Sequence, residues 1–258
     1  MRHIGLAALT VLELPHHELV DVAAQAGYSH VGLRLRPVAG QPYLHPIDEA
    51  AIARRLADTG VRVLDVEVFR LEADTRVADF EREIASSARL GASQLLVHGA
   101  DPEHARLVET WGRLCDLAAR YKLSANLEPM PWVAISTVAK AKRVVDDAGR
   151  KNGATLVDAI HFFRADNRLD ELRGLRQNYL QFCDARAERP TEEAELIRQA
   201  RGDRLPPGEG GLDLKGLLAA VSKDLPLSLE VPMARPMAPL EKAKLVYRAT
   251  VDFLTRAG

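Results

Sequence analysis

Cysteine is scarce in this chain. Cys115 and Cys183 are the two present in 258 residues, and they lie far apart. No disulfide framework is expected, and a reducing compartment fits. A surplus of either charge is also missing. Lys and Arg total 35 against 36 Asp and Glu, with no basic stripe, which argues against a nucleic-acid binder held by phosphate contacts. No apolar run reaches the roughly 18 residues of a membrane span, and the first residues show no secretory pattern. A cytoplasmic location without membrane attachment is therefore expected. What the chain does have is a 47% apolar content, enough for a full core.

That apolar content comes in short runs. They are residues 4–9, 30–35, 62–69, 94–99, 123–128, 154–158, 178–184 and 227–231, eight in all. Helical patterns lie between them. HELVDVAAQAG, IDEAAIARRLADTG and VADFEREIASSARLG each stop on a glycine, at Gly27, Gly60 and Gly91, where a left-handed turn is needed. The next, PEHARLVETWGRLCDLAARY, opens on proline, which a first helical turn tolerates. Strand alternating with helix predicts βαβ units and a parallel sheet. Eight units in 258 residues average about 32 each, the size of a (β/α)8 TIM barrel with few insertions. An open doubly wound sheet is the competing fold, but no glycine-rich turn follows the first run. No linker is evident, so residues 1–258 read as one domain. The longest connection follows the seventh run and contains RGDRLPPGEGG, a turn-rich stretch whose glycines suit either a moving lid over 201–213 or a plain connector.

Several runs end on an acid. LSANLEPMPW places Glu128 at a strand end with Pro129 and Pro131 behind it; ATLVD ends on Asp158; PLSLEVP ends on Glu230 with Pro232 behind it. In a parallel barrel all strand C-termini open on one face, where active sites sit. A single strand-end acid reads most simply as a cap on the following helix. Acids on three such strands, aimed at one spot, would repel unless a divalent cation sat among them, and oxygen donors suit a hard ion.

The elements LEPMPW, VDAIHFFR, LQFCDAR, RLPPGEGGLDL and LSLEVP, in that order, resemble the xylose-isomerase-like barrel superfamily, in particular its sugar phosphate isomerase/epimerase branch. The resemblance spans nearly the whole chain. It implies one divalent ion (Mn, Mg, Co or Zn) held by Glu128, Asp158, Gln181 and Glu230. Many relatives have histidine where this chain has Gln181; certain 3-dehydroshikimate dehydratases use glutamine. The resemblance also implies that Glu128 and Glu230 move the proton of the substrate, with Glu230 a candidate base, and that His161, in an Asp-x-x-His pattern, acts in catalysis.

Around these residues the sequence offers a second ring. Glu67 and His98 fall near the ends of the third and fourth strands and are expected to bind substrate. Arg34 and Arg36 rank below Glu67, as partners of surface acids. Arg186 and Arg204, near the long connection, suit a carboxylate or phosphate, while Arg201 reads equally as a solvated charge. Trp132 is a candidate pocket wall or a core aromatic. The expected ligand is a small sugar or polyol, with an acidic or phosphorylated one favoured by the arginines. The function read first is a metal-dependent isomerase or epimerase working through proton abstraction beside a carbonyl and an enediolate. A dehydratase (lyase) of a keto-polyol or dehydroshikimate-like acid shares that first step. An apurinic-site nuclease needs more histidines than this chain offers, and a non-catalytic sugar-binding barrel leaves the acid set without a task. A homodimer is the default assembly.

Overall fold

The computed structural model describes residues 2–38, 41 and 45–257. Nine short strands form one sheet: β1 (Ile4–Leu6), β2 (His30–Arg34), β3 (Arg62–Leu71), β4 (Gln94–Gly99), β5 (Ser124–Glu128), β6 (Gly153–Thr155), β7 (Val157–Asp158), β8 (Leu180–Phe182) and β9 (Leu227–Leu229). Their order is β6-β5-β4-β3-β2-β1-β9-β8-β7, and every pairing is parallel. The two ends of that order are consecutive pieces of one strand, interrupted at Leu156, whose N–H donates to the Leu127 carbonyl at 2.9 Å. The sheet thus closes on itself as a TIM barrel with eight strand positions, as the eight apolar runs predicted.

Among the described residues, nine α-helices surround it: α1 (His16–Ala26), α2 (Glu49–Thr59), α3 (Glu81–Arg89), α4 (His104–Arg120), α5 (Val138–Ala148), α6 (Ala159–Arg164), α7 (Glu193–Gly202), α8 (Leu214–Ala220) and α9 (Pro239–Ala257). The expected glycine stops hold. Gly27 and Gly60 end α1 and α2 at φ of 96° and 72°, where any side chain would clash with its own backbone.

Side-chain alternation sorts each strand into two environments. On β4, Leu95 and Val97 join the large apolar layer between sheet and helices. Leu96 instead meets Leu64, Val68, Leu156 and Tyr179 in a separate small cluster, the plug of the barrel interior. His98 follows Leu96 on the inward parity and therefore emerges above that plug. The same parity brings Glu128 up from β5, Asp158 from β7 and Gln181 from β8.

Of the strand boundaries that differ from the sequence expectation, three bear on the barrel mouth. The first run leaves the sheet at Leu6, and Ala8–Val11 is a 3-10 turn. The third strand continues to Leu71, carrying Arg70 past the barrel rim. The eighth position stops at Leu229, so Glu230 lies one residue beyond it. The Thr10 hydroxyl donates to the Leu229 carbonyl and accepts from the Val231 N–H, both at 2.8 Å, and so fixes the backbone on either side of Glu230.

Candidate active site

A cavity of about 340 Å³ opens at the C-terminal face of the barrel. Glu67, His98, Glu128, Trp132, His161 and Glu230 all line it. Asp158 and Gln181 lie at its base, 1% and 0% exposed. Strand ends that are distant in sequence thus converge on one space.

Glu128 is gripped on one side. Its Oε2 accepts a hydrogen bond from His98 Nε2 at 2.7 Å, and its buried Oε1 has no hydrogen-bond partner among the described residues. Burial pushes the Glu128 carboxyl well above the usual carboxylate range, and the negative charge of Asp158 adds to the push. His98 moves the other way, down to about 3, because burial and then Arg70 disfavour the imidazolium. A neutral His98 donating to Glu128 satisfies both groups.

Asp158 meets one sequence reading of a strand-end acid, the cap on the following helix. Its Oδ1 caps α6 by accepting the His161 N–H at 3.2 Å. Its Oδ2 is only 2.6 Å from Arg204 Nη1. Burial alone would raise its pKa, yet the Arg204 guanidinium and the other favourable contacts outweigh burial and hold it below the usual range. Glu230 is pushed up by burial despite Arg204, whose Nη2 lies 2.7 Å from its Oε2. Its Oε1 accepts from Gln181 Nε2 at 2.9 Å.

Arg204, expected to bind substrate, lines the cavity but spends its guanidinium on the acids. Its guanidinium is buried among the acids, bridging Asp158 and Glu230, and its Nε donates to the Ala200 carbonyl at 2.7 Å. Arg186, also expected to bind substrate, does not line the cavity; its side chain is 66% exposed and faces Asp203 at 3.7 Å. Arg34, in turn, is no surface partner. It is 5% exposed and donates from Nε and Nη2 to Glu67 Oε1, at 2.9 and 2.6 Å. Arg36 does pair outward, with Glu83 at 3.1 Å.

His161 stands with its Nε2 3.9 Å from Glu128 Oε1 and its ring edge-on to Trp132, centroids 5.0 Å apart. Burial lowers its pKa to about 3 against the opposing pull of Asp158, so it is a neutral imidazole at physiological pH. Trp132 is half-buried and walls the cavity. Cys183 lies 3.5 Å from Arg204, with its thiol pushed up to about 12 by burial, which suits a packing role.

Asp184 is a structural residue that the sequence reading passed over. Its Oδ2 accepts the N–H of Gly208 and Gly210, both at 3.0 Å, and its Oδ1 that of Leu212 at 3.1 Å. Leu205 and Asp184 exchange backbone hydrogen bonds at 2.8 and 2.9 Å. A Cβ at Gly210 would lie 2.3 Å from the Ala185 carbonyl, so only glycine lets the loop pass. PPGEGG is thus a tied-down loop that delivers Arg204 to the acids. An aspartate followed at distance by a glycine-rich stretch was the available signal. Asp65, on β3, was missed as well. It is fully buried, neither oxygen has a partner, and burial together with Glu67 pushes its carboxyl well up.

The donor set suits a divalent cation. Glu128, Asp158 and His161 present ligand atoms within 4.8 Å of one another, the one such group among the described residues. Two buried oxygens nearby, Glu128 Oε1 and Gln181 Oε1, lack any partner. Three carboxylates and an amide oxygen, with one imidazole at hand, are a hard to borderline donor set.

A family model described as xylose isomerase-like TIM barrel matches residues 20–257. A 3-dehydroshikimate dehydratase of Pseudomonas aeruginosa is 27% identical over 235 residues, 83% of this chain; the chain spans 36% of the length of that relative. Among solved structures, an IOLI protein with a bound zinc atom superposes with a TM-score of 0.80 at 18% identity, covering 100% of this chain and 99% of the other. A D-allulose 3-epimerase from Methylomonas sp. in complex with D-allulose has a TM-score of 0.71 at 18% identity, covering 100% of this chain and 97% of the other. At these identities the structural likeness shows the fold.

Proposed function

The chain belongs to the xylose isomerase-like TIM barrel family, and on that premise we propose a divalent-metal-dependent enzyme that removes the proton beside a carbonyl in a small polyhydroxylated substrate. The observation that carries this reading is Glu128. It is a buried carboxylate with a raised pKa in the lining of a cavity of sugar size, one oxygen held by His98 and the other without a hydrogen-bond partner among the described residues. A base poised in this way is what abstraction of a weakly acidic C–H requires.

Glu128 and Asp158 would hold the ion, with His161 beside them, and the family resemblance adds Gln181 and Glu230 to the set. The ion, when bound, polarises the carbonyl and acidifies the neighbouring C–H. Glu128 takes the proton at Oε1, while His98 keeps the carboxylate oriented. Glu230 is a less available base, because Arg204 and Gln181 occupy both of its oxygens; it would serve as ligand and, in an epimerisation, would deliver to the carbon a proton that it first takes up from solvent. His161, neutral and with Nδ1 unpartnered, is placed to hydrogen-bond a substrate hydroxyl. Trp132 closes one wall against water.

Returning the proton to carbon gives isomerisation or epimerisation, the first reading, which the fold shared with the D-allulose 3-epimerase supports. Expelling a β-hydroxyl instead gives dehydration. That second reading is favoured by the relative at 27% identity, whose name is a dehydratase.

The experiment is a screen of keto-sugars, inososes and dehydroshikimate-like acids with Mn²⁺ in deuterated water, followed by NMR. Deuterium should enter the carbon next to the carbonyl, and the product, an isomer or a dehydrated species, identifies the reaction. Glu128→Gln should remove the exchange and lower turnover by about 10²–10⁴-fold. Exchange at the original rate in Glu128→Gln would refute Glu128 as the base, and no exchange with any substrate by protein that holds metal would refute the reaction class.

A further inference from the structure

The cavity has two unlike ends. Glu67, Glu128, Glu230 and Arg204 are buried, whereas Arg70, Arg201 and Glu72 are exposed at the rim. Arg201, the last arginine of α7, has no ion pair and no side-chain hydrogen bond among the described residues, although it lines the cavity. Its charge is opposed by burial and by Arg34 and Arg70, so three guanidiniums crowd one side of the space. Arg70 spends one donor, Nε, on Glu72 at 2.8 Å. Arg34 has a further signature: its Nη1 is buried and lacks an acceptor among the described residues, while its other two nitrogens hold Glu67. A buried guanidinium with an idle donor, beside two rim arginines, wants an anion.

The charge inventory says which one. The four arginines and four glutamates of the cavity wall cancel in number. Asp158 beneath adds one negative charge and a divalent cation two positive ones, leaving the loaded site with one positive charge. A single carboxylate neutralises it; a dianionic phosphate overshoots.

We propose that Arg34, Arg70 and Arg201 form a carboxylate subsite, so that the substrate is a polyhydroxylated carbonyl compound bearing one carboxylate, bound with its carbonyl at the base and its carboxylate at the arginines. This rests on the functional reading above for which end holds the carbonyl. It also moves acid recognition away from Arg186 and Arg204 to arginines that sequence order does not bring together.

Calorimetric titration tests it with three probes on Mn²⁺-loaded protein: quinate, a ring polyol with a carboxylate; myo-inositol, its uncharged counterpart; and fructose 6-phosphate. Quinate should bind at least ~10-fold more tightly than myo-inositol, and Arg201→Gln, at an exposed position, should erase about that factor for quinate while moving myo-inositol less than ~2-fold. Equal affinity for quinate and myo-inositol overturns the subsite, as does a quinate affinity that ignores Arg201→Gln. Fructose 6-phosphate held more tightly than quinate, with the Arg201 dependence, overturns the choice of carboxylate. Metal content is measured on the same samples. Protein that takes up no Mn²⁺ fails the functional reading instead, and the Arg201→Gln comparison with quinate on metal-free protein still decides the subsite.

Discussion

Replacing Arg204 should expose how the acids of this site tolerate one another. The guanidinium is 2% exposed and lies 2.6 Å from Asp158 Oδ2 and 2.7 Å from Glu230 Oε2, with further donors to the Ala200 and Glu230 carbonyls. Arg204→Ala leaves two buried carboxylates without their cation. Breaking a buried ion pair by removing one partner costs about 3–5 kcal/mol, because the survivor stays desolvated and uncompensated. Here two acids are stranded, but they can take up protons, which limits the loss, so about 4 kcal/mol is expected for metal-free protein. Arg204→Lys retains a charge but not the fork that reaches both acids, and should lose roughly half as much. Urea unfolding in EDTA measures both. Adding Mn²⁺ at one fixed concentration should narrow the gap to wild type, since the ion supplies the missing charge and binds the variant more tightly; each tenfold in Kd closes about 1.4 kcal/mol. A loss below ~1 kcal/mol for Arg204→Ala in EDTA would refute this account of the acid cluster.

Two further outcomes follow from the same site. The Glu128→Gln/Asp158→Asn double variant should lose its bound divalent metal when purified without chelator; unchanged metal content by elemental analysis would remove both residues from the ligand set. Stability should fall as pH drops from about 6.5 toward 3, because His30, His98 and His161 are held neutral, at about 4, 3 and 3, while the unfolded chain binds protons near 6.5. The folded pKa values are depressed, so this stability is present above 6.5 and lost on acidification. His30→Asn, far from the acids, should flatten part of that slope in urea titrations across pH, and an unaltered slope would count against His30. Glu128, Glu230 and Asp65 have raised values, so their contribution runs oppositely: metal-free protein should lose stability as pH rises through those values, and Mn²⁺ should remove the part due to Glu128 and Glu230.

Much of the site was legible because a closed parallel barrel converts strand ends into neighbours. Glu128, Asp158, His161, His98, Glu67 and Trp132 could be assigned to the mouth from strand order, parity and a resemblance in five short elements. Arginine was harder. A long side chain on a connection reaches in any direction, and only the loop path decides which; the tether from Asp184 to Gly208 and Gly210 brings Arg204 down among the acids and leaves Arg186 outside. Arg34 looked like a surface residue because its partner, Glu67, lies on the next strand and 33 positions away.

The sequence by itself determined the repeat of strand and helix, the glycine stops, and the acids at three strand ends. Those features are written in periods of two to four residues and in the backbone limits of glycine and proline, which need no distant partner to act. Tertiary structure alone decided the break at Leu156, the burial of Arg204 between Asp158 and Glu230, and the gathering of Arg34, Arg70 and Arg201 at one rim. These depend on barrel closure and on the path of a loop, where the energy of each group is set by neighbours that sequence distance does not reveal.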